Sequence, residues 1–419
     1  MGCLQAHRML LLPVLLVAVA VCWMPSILSV VGEVTLVEDD AGALHINTSN
    51  PMSQPVFVNG VNVHETLSTL LRTVSMQQST IDAQQGINAA QQSTVERLCR
   101  LARPRAWTFG QVGSMGAKWL GGALANNGLI YAAPRNSPSV LIIDPATNTV
   151  DTTTISGLGT DNYKWAGAVL AHNGLIYMFA SNRETMLIID PDTNTFDTSS
   201  IDSLDSGSLK WYSGMVASNG LIFGIPYSAT LVLIIDPETN TADLTTLSGL
   251  PSQTNKWYGG VQAGNGLIYC IPASASSVLI INPKSLTIDL TTISGFDTNA
   301  KWYGGVLARS GLVYTIPYQS ATMLVINPAT NATDKVVADA TGFEKWVGGE
   351  LAPNGNIVGI PFDSSSVLII DPSTNAIDVT LISDLAGSHK WYDGILAPNG
   401  LIYGIPHDAE SVLVIDPGC

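Results

Sequence analysis

A Lys-Trp pair that returns seven times predicts an all-β chain folded as a seven-bladed β-propeller of four-stranded blades over residues 105–419. The pairs start at Lys118, Lys164, Lys210, Lys256, Lys301, Lys345 and Lys390, at spacings of 46, 46, 46, 45, 44 and 45 residues. Each unit holds four short apolar runs parted by turn residues, the strand count and length of one blade, and none shows a helical period. Ahead of the ring, the sequence predicts a signal peptide or signal anchor over 1–32, a short β segment over 33–64 and an α-helical coiled-coil stalk over 65–100.

The leader rests on Arg8, followed by an apolar run from Met9 to Gly32 and then by Glu33, Glu38, Asp39 and Asp40. Ala18-Val19-Ala20 has the small-x-small form of a signal-peptidase site. The whole run is also long enough to span a bilayer, so residues 9–32 are a membrane contact if they stay uncleaved. Both readings place the rest of the chain in the secretory pathway, outside the cell or on its surface. The sequons at Asn47 and Asn331 fit that compartment.

In the β segment, Val34–Val37 and Val56–Val63 have strand composition, and Asn59-Gly60 is a hairpin turn signal. The period then changes to seven. Leu67, Val74, Ile81, Asn88 and Val95 form one seam, and Leu70, Gln77, Gln84, Gln91 and Leu98 form the other. Polar residues at core positions fix register and strand number in coiled coils, so residues 65–98 predict a homo-oligomer, dimer or trimer. Gly86 is a weak point, costing about 1 kcal/mol against Ala.

The fourth unit shows how a blade is written. Trp257–Ala263 is the inner strand, Asn265-Gly266 a hairpin turn and Leu267–Pro272 the second strand, stopped by Pro. Ser277–Ile281 is the third strand, Asn282-Pro283 opens the next turn, and Ile288–Ile293 is a weaker fourth. Inner strands need small residues where they crowd the axis, which accounts for the Gly pair after Trp. The seventh unit stops at Cys419 before a fourth strand, while Ala106–Val112 supplies one ahead of the first unit. The two ends therefore complete one blade and leave no open edge. This closure brings Cys419 near Cys99 and predicts a disulfide between them, with two free thiols or a Cys99 bridge between stalk helices as the alternatives. Cys270, at a Gly/Thr/Ala position of other units, reads as a small buried residue.

Asn173–Tyr177 and Ser139–Thr149 resemble YVTN-type repeats of surface-layer propellers, and the Gly pair with one Trp per unit resembles kelch repeats, over residues 105–419. The Gly pair follows Trp in the first strand here, whereas kelch repeats place it in the second, so the resemblance implies shape and a binding or scaffolding role without assigning residues.

Composition narrows the function. With 46% apolar and 12% charged residues and a net charge of −15, the chain lacks the basic surface that nucleic acid requires. No metal, nucleotide or nucleophile motif occurs, so no cofactor is expected. The repeated Lys and Trp offer a ring for anions or sugars, but identical use in every unit points to structure: Trp between blades, Lys solvated at the strand edge. Departures from the repeat carry more information. Glu350 and Asp393 break the inner strands at positions of like parity and form a candidate acid-base pair. Arg135, Arg183, Glu184, Tyr227, Tyr318, Phe362, His407 and Asp408 fall in the loops between second and third strands, the expected binding surface. The sequence therefore predicts a non-enzymatic propeller displayed multivalently on its stalk, bound to an extracellular protein or glycan. The alternative is a glycan hydrolase or lyase using Glu350 and Asp393.

Overall fold

The computed structural model describes residues 34–38, 44–48, 56–58, 60–99, 103–338 and 342–418. The leader, Cys419 and the side chain of Cys99 lie outside the described residues, as does the predicted disulfide; Cys270 is a free, fully buried thiol. The contacts divide the chain into two units, residues 1–97 and 98–419.

In the first unit, β1 (Val34–Glu38) pairs antiparallel with β2 (Leu44–Thr48), a strand that the sequence reading did not anticipate. β3 (Phe57–Val58) pairs with β4 (Val61–Asn62) about the expected turn, where Gly60 takes φ +79°. α1 (Val63–Cys99) begins two residues earlier than expected because Asn62 caps it: the Glu65 amide donates to Asn62 Oδ1 at 3.2 Å. Its heptad residues Leu67, Val74 and Ile81 are 44%, 44% and 39% exposed. Among the described residues no helix is long and apolar enough to cross a membrane.

The second unit is the propeller. Seven four-stranded antiparallel sheets follow the sequence order, and β5 (Arg105–Phe109) completes the last one by pairing with Val412–Asp416. Each inner strand, from Trp119–Leu124 in blade one to Trp391–Leu396 in blade seven, packs beside its neighbours, and the seventh meets the first. Seven apolar clusters fill the seven gaps between blades. Five of the fourth strands, at three residues each, are shorter than the sequence suggests, while that of blade five, Ala332–Val337, is not. Thr287–Asp289 stops where Asp289 turns the chain by accepting the Thr291 and Thr292 amides. The Thr292 hydroxyl, which also donates to this carboxylate, and these amides hold Asp289 down at about 2.

Trp and Lys are both blade-to-blade fasteners. The seven Trp are 0–4% exposed. Each donates Nε1 to a backbone carbonyl twenty residues on, as Trp257 does to Ser277 at 2.8 Å. The solvated role expected for the lysines is wrong, since all seven are 0–5% exposed. Lys210 Nζ donates to the Ser181, Arg183 and Gly207 carbonyls at 3.0, 2.8 and 3.0 Å, tying blade three to the loop of blade two. Burial pulls this ammonium, and those of Lys164, Lys256, Lys301 and Lys390, down to about 8. The lysines form no ring open to anions.

The opposite face is fastened by the Asn-Gly turns. Asn173 Nδ2 donates to the Pro237 carbonyl of the next blade at 2.8 Å, and the Tyr177 hydroxyl donates to Asn240 Oδ1 at 2.6 Å. The ring closes the same way, with Asn399 donating to the Pro145 carbonyl at 3.1 Å. Asn331, the sequon residue, belongs to this set and accepts the Tyr269 hydroxyl at 2.8 Å.

Candidate functional site at the propeller mouth

On the Lys-Trp face, the residue after each Trp joins Tyr227, Ala273, Tyr318 and Phe362, which follow second strands, to plug the axis with one further apolar cluster. Tyr212 stacks on Tyr227 at 4.1 Å, and Tyr303 stacks on Tyr258 at 5.0 Å and on Tyr318 at 3.9 Å. The Tyr227 and Tyr303 hydroxyls meet at 3.1 Å. Burial drives both phenols well above their ordinary range, so they remain neutral donors.

Above this floor lies a recess of about 710 Å³. A third ring supplies its rim: the residue preceding each Lys. Ala117, Tyr163, Leu209, Asn255, Glu344 and His389 sit in the left-handed region at φ 50–59°, a conformation non-glycine residues adopt only when their surroundings enforce it. The preceding blade does so by accepting the backbone amide. Asn136 Oδ1 takes the Tyr163 amide at 2.9 Å, Asn182 that of Leu209 at 2.9 Å, and Asp408 that of Ala117 at 2.6 Å. The geometry aims the rim side chains at the recess while the loops stay locked.

One side of the recess is polar. Arg135 donates to His407 Nε2 at 2.8 Å and to the Tyr212 hydroxyl at 3.4 Å, and lies over the Tyr163 ring at 4.4 Å. Among the described residues no carboxylate pairs with Arg135. His407 is 6% exposed, and burial, reinforced by the Arg135 charge, lowers it to about 4. It is therefore neutral at pH 7, with a lone pair for Arg135. Its Nδ1 lies 2.8 Å from Asp408 Oδ1, yet off the direction a hydrogen bond needs. His389 Nε2 meets Glu344 Oε2 at 3.1 Å. Ligand atoms of Glu344, Asp363 and His389 lie within 4.8 Å of one another, a set able to hold a divalent cation. Asp363 is already committed to the His389 amide at 2.5 Å, and Glu344 to its ring.

Of the residues singled out from the sequence, Arg135, Tyr227, Tyr318, Phe362 and His407 line the recess, the aromatic three as buried floor and wall. Arg183 is drawn aside to Asp161 and the Trp165 ring, Glu184 is exposed, and Asp408 faces a neighbouring crevice of about 430 Å³. The sequence reading missed Tyr163, Glu344 and His389.

Glu350 and Asp393 lie deeper, away from the recess. Asp393 lines the channel waist, where its counterparts are mostly glycines packed backbone to backbone. A Cβ on Gly304 would stand 3.0 Å from the Gly348 Cα. Glu350 does not line the waist but faces the Leu396 amide of blade seven. Crowding by protein atoms raises Asp393 to about 7. Glu350 goes to about 8, by the same crowding and then by the Asp393 charge. Both keep part of their surface open to channel water, which moderates the effect.

No family model matches the sequence, and no curated protein is recognisably similar to it. The fold does have solved counterparts. A virginiamycin B lyase from Staphylococcus aureus superposes with a TM-score of 0.62 at 8% identity, over 74% of this chain and 99% of its own. A streptogramin B lyase gives 0.60 at 9% identity, over 75% and 98%. The extracellular domain assigned to a one-component system of B. thetaiotaomicron gives 0.54 at 12% identity, over 74% of this chain and 40% of that one. At such identities the likeness is one of fold alone.

Proposed function

We propose that the protein is an extracellular, non-enzymatic binding module whose propeller takes a glycan or protein ligand in the mouth recess. We propose further that residues 65–98 join copies into a dimer or trimer that binds multivalently. One observation carries the first part. The seven units agree in the Trp and Lys that fasten the blades on this side, and diverge in the rings that face the recess, which carry Arg135, Tyr163, Glu344, His389 and His407. Recognition of one ligand requires such an asymmetric surface on a symmetric scaffold. The exposed Leu67, Val74 and Ile81 on α1 support association, since apolar heptad positions are buried only by a second helix. The leader, and fold neighbours that are extracellular domains, support the location. Light scattering of the mature chain tests the oligomer, and a glycan and cell-surface protein array tests the ligand. A monomer removes multivalency. An array without saturable binding removes the binding module.

A second reading, lyase chemistry, draws on the hydrogen-bonded His389–Glu344 pair in a recess on the fold of the streptogramin B lyases, one of which was solved with quinupristin in a form inactivated by a His→Ala change. Mass spectrometry of quinupristin incubated with the protein decides it. A product formed by the wild type and abolished by His389→Ala establishes a lyase; unchanged quinupristin excludes that substrate.

A further inference from the structure

The mouth holds a cation set in place, and among the described residues no carboxylate pairs with it. Most arginines at protein surfaces meet a carboxylate or water, but Arg135 is fixed by two neutral partners, His407 Nε2 and the Tyr212 hydroxyl, and by the Tyr163 ring. Its Nε is buried without a partner. Beside it, His407, which is 6% exposed, has its Nδ1 turned to Asp408 Oδ1 at 2.8 Å and leaves only Nε2 for Arg135. A buried guanidinium nitrogen without a partner is costly, and at the wall of a recess it indicates a missing hydrogen-bonding group. Arg135 determines that group's charge, and a guanidinium's forked donors suit a carboxylate.

The remainder of the wall bears on what carries the carboxylate. Asn182, Ser208 and Asn255 offer neutral amides and a hydroxyl, Tyr163 offers a ring, and the Glu344 carboxylate of the same lining is taken up by His389. Neutral hydrogen-bonding groups with aromatic faces match a ring of hydroxyls on an apolar plane, which is a sugar. Building on the glycan reading above, we infer that the recess receives the terminal residue of an acidic glycan, its carboxylate on Arg135 and its ring against the aromatic wall. The neutral state of His407 keeps its ring an acceptor for Arg135, so the guanidinium stays aimed at the incoming acid.

The test is ligand-observed NMR titration of the full-length protein with D-glucuronate, D-glucose and N-acetylglycine, repeated with Arg135→Gln and Arg135→Lys and with thermal melting to confirm folding. The expected result is saturable binding of D-glucuronate and at least tenfold weaker binding of D-glucose. Arg135→Gln then weakens D-glucuronate by about tenfold or more, and Arg135→Lys recovers part of the loss. Equal binding of D-glucose and D-glucuronate, or binding unaffected by Arg135→Gln, overturns the carboxylate assignment and leaves the binding-module reading standing. Preference for N-acetylglycine overturns the sugar assignment in favour of a peptide carboxylate. No binding by any probe overturns the inference outright, while the array alone decides the broader reading.

Discussion

The two faces of the propeller obey different rules. On the Asn-Gly face, a fastening pair can change on both sides at once. Four blades present a Tyr hydroxyl to an Asn of the next blade with a contact of 2.6–2.8 Å. Where the Tyr becomes Phe223, the opposing Asn becomes Leu286, and the two share an apolar cluster. At the mouth there is no such matching. Arg135, Ser181, Tyr227, Ala273, Tyr318, Phe362 and His407 occupy equivalent positions with unrelated chemistry, and some of their polar atoms are left over. The first face answers to its neighbouring blade, and the second answers to something outside the chain.

If repeated residues are fasteners, breaking one should damage folding irrespective of ligand. Gly304→Ala carries the largest expected effect. It places a Cβ 3.0 Å from a neighbouring backbone at φ +102°, and should cost about 3 kcal/mol or more in denaturant unfolding. Lys210→Met comes next, at about 2–4 kcal/mol, because three carbonyls lose their donor. An isostere with little effect there would return the lysines to the role of surface charges.

The channel acids sharpen the comparison through pH. Asp393 and Glu350 titrate at about 7 and about 8 in the folded chain, above the ordinary carboxylate range of the unfolded one. The folded state therefore holds more protons than the unfolded one below those values, and stability falls as pH rises from 6.5 to 7; nearer 8 the five lysines lowered to about 8 hold fewer protons folded than unfolded and oppose the fall. Below that window His407, lowered to about 4, works in the opposite direction. Melting temperature should drop across the window in the wild type and less in Asp393→Gly, which restores the repeat. A flat wild-type profile would mean that channel water fully solvates both acids. The smallest effect belongs to Tyr269→Phe and Asn331→Leu, about 1 kcal/mol each, with the double variant costing less than their sum, as Phe223 and Leu286 imply.

The blades were legible because their punctuation is local. Asn-Gly, the Pro ending the second strand and Asp-Pro each fix a turn by backbone chemistry, and the pairing of β5 with Val412–Asp416 follows from counting strands. The burial of the lysines was not legible, because the carbonyls that receive Nζ belong to loops of differing sequence, just before each Lys and in the blade preceding it. Half of the mouth was legible for the same reason. Arg135 and His407 stand out in a loop of fixed position after Pro, whereas Tyr163, Glu344 and His389 hide beside the strongest motif of the chain. Their signal was the variety of the residue before each Lys-Trp. The partnership of Glu350 and Asp393 was read from strand parity; the inner strands shift register between Trp and the second Gly position, and the Asp393 charge still reaches Glu350.

The central claim is that the mouth serves the ligand and the far face serves the fold. Array binding of the full-length protein compares a mouth variant, Arg135→Tyr with His407→Tyr, which copies Tyr227 and Tyr318, with a far-face variant, Asn173→Ser, which copies Ser310. The account predicts that the mouth variant keeps its melting temperature and loses its ligand, while the far-face variant melts earlier and binds as the wild type does. A mouth variant that binds unchanged would contradict it.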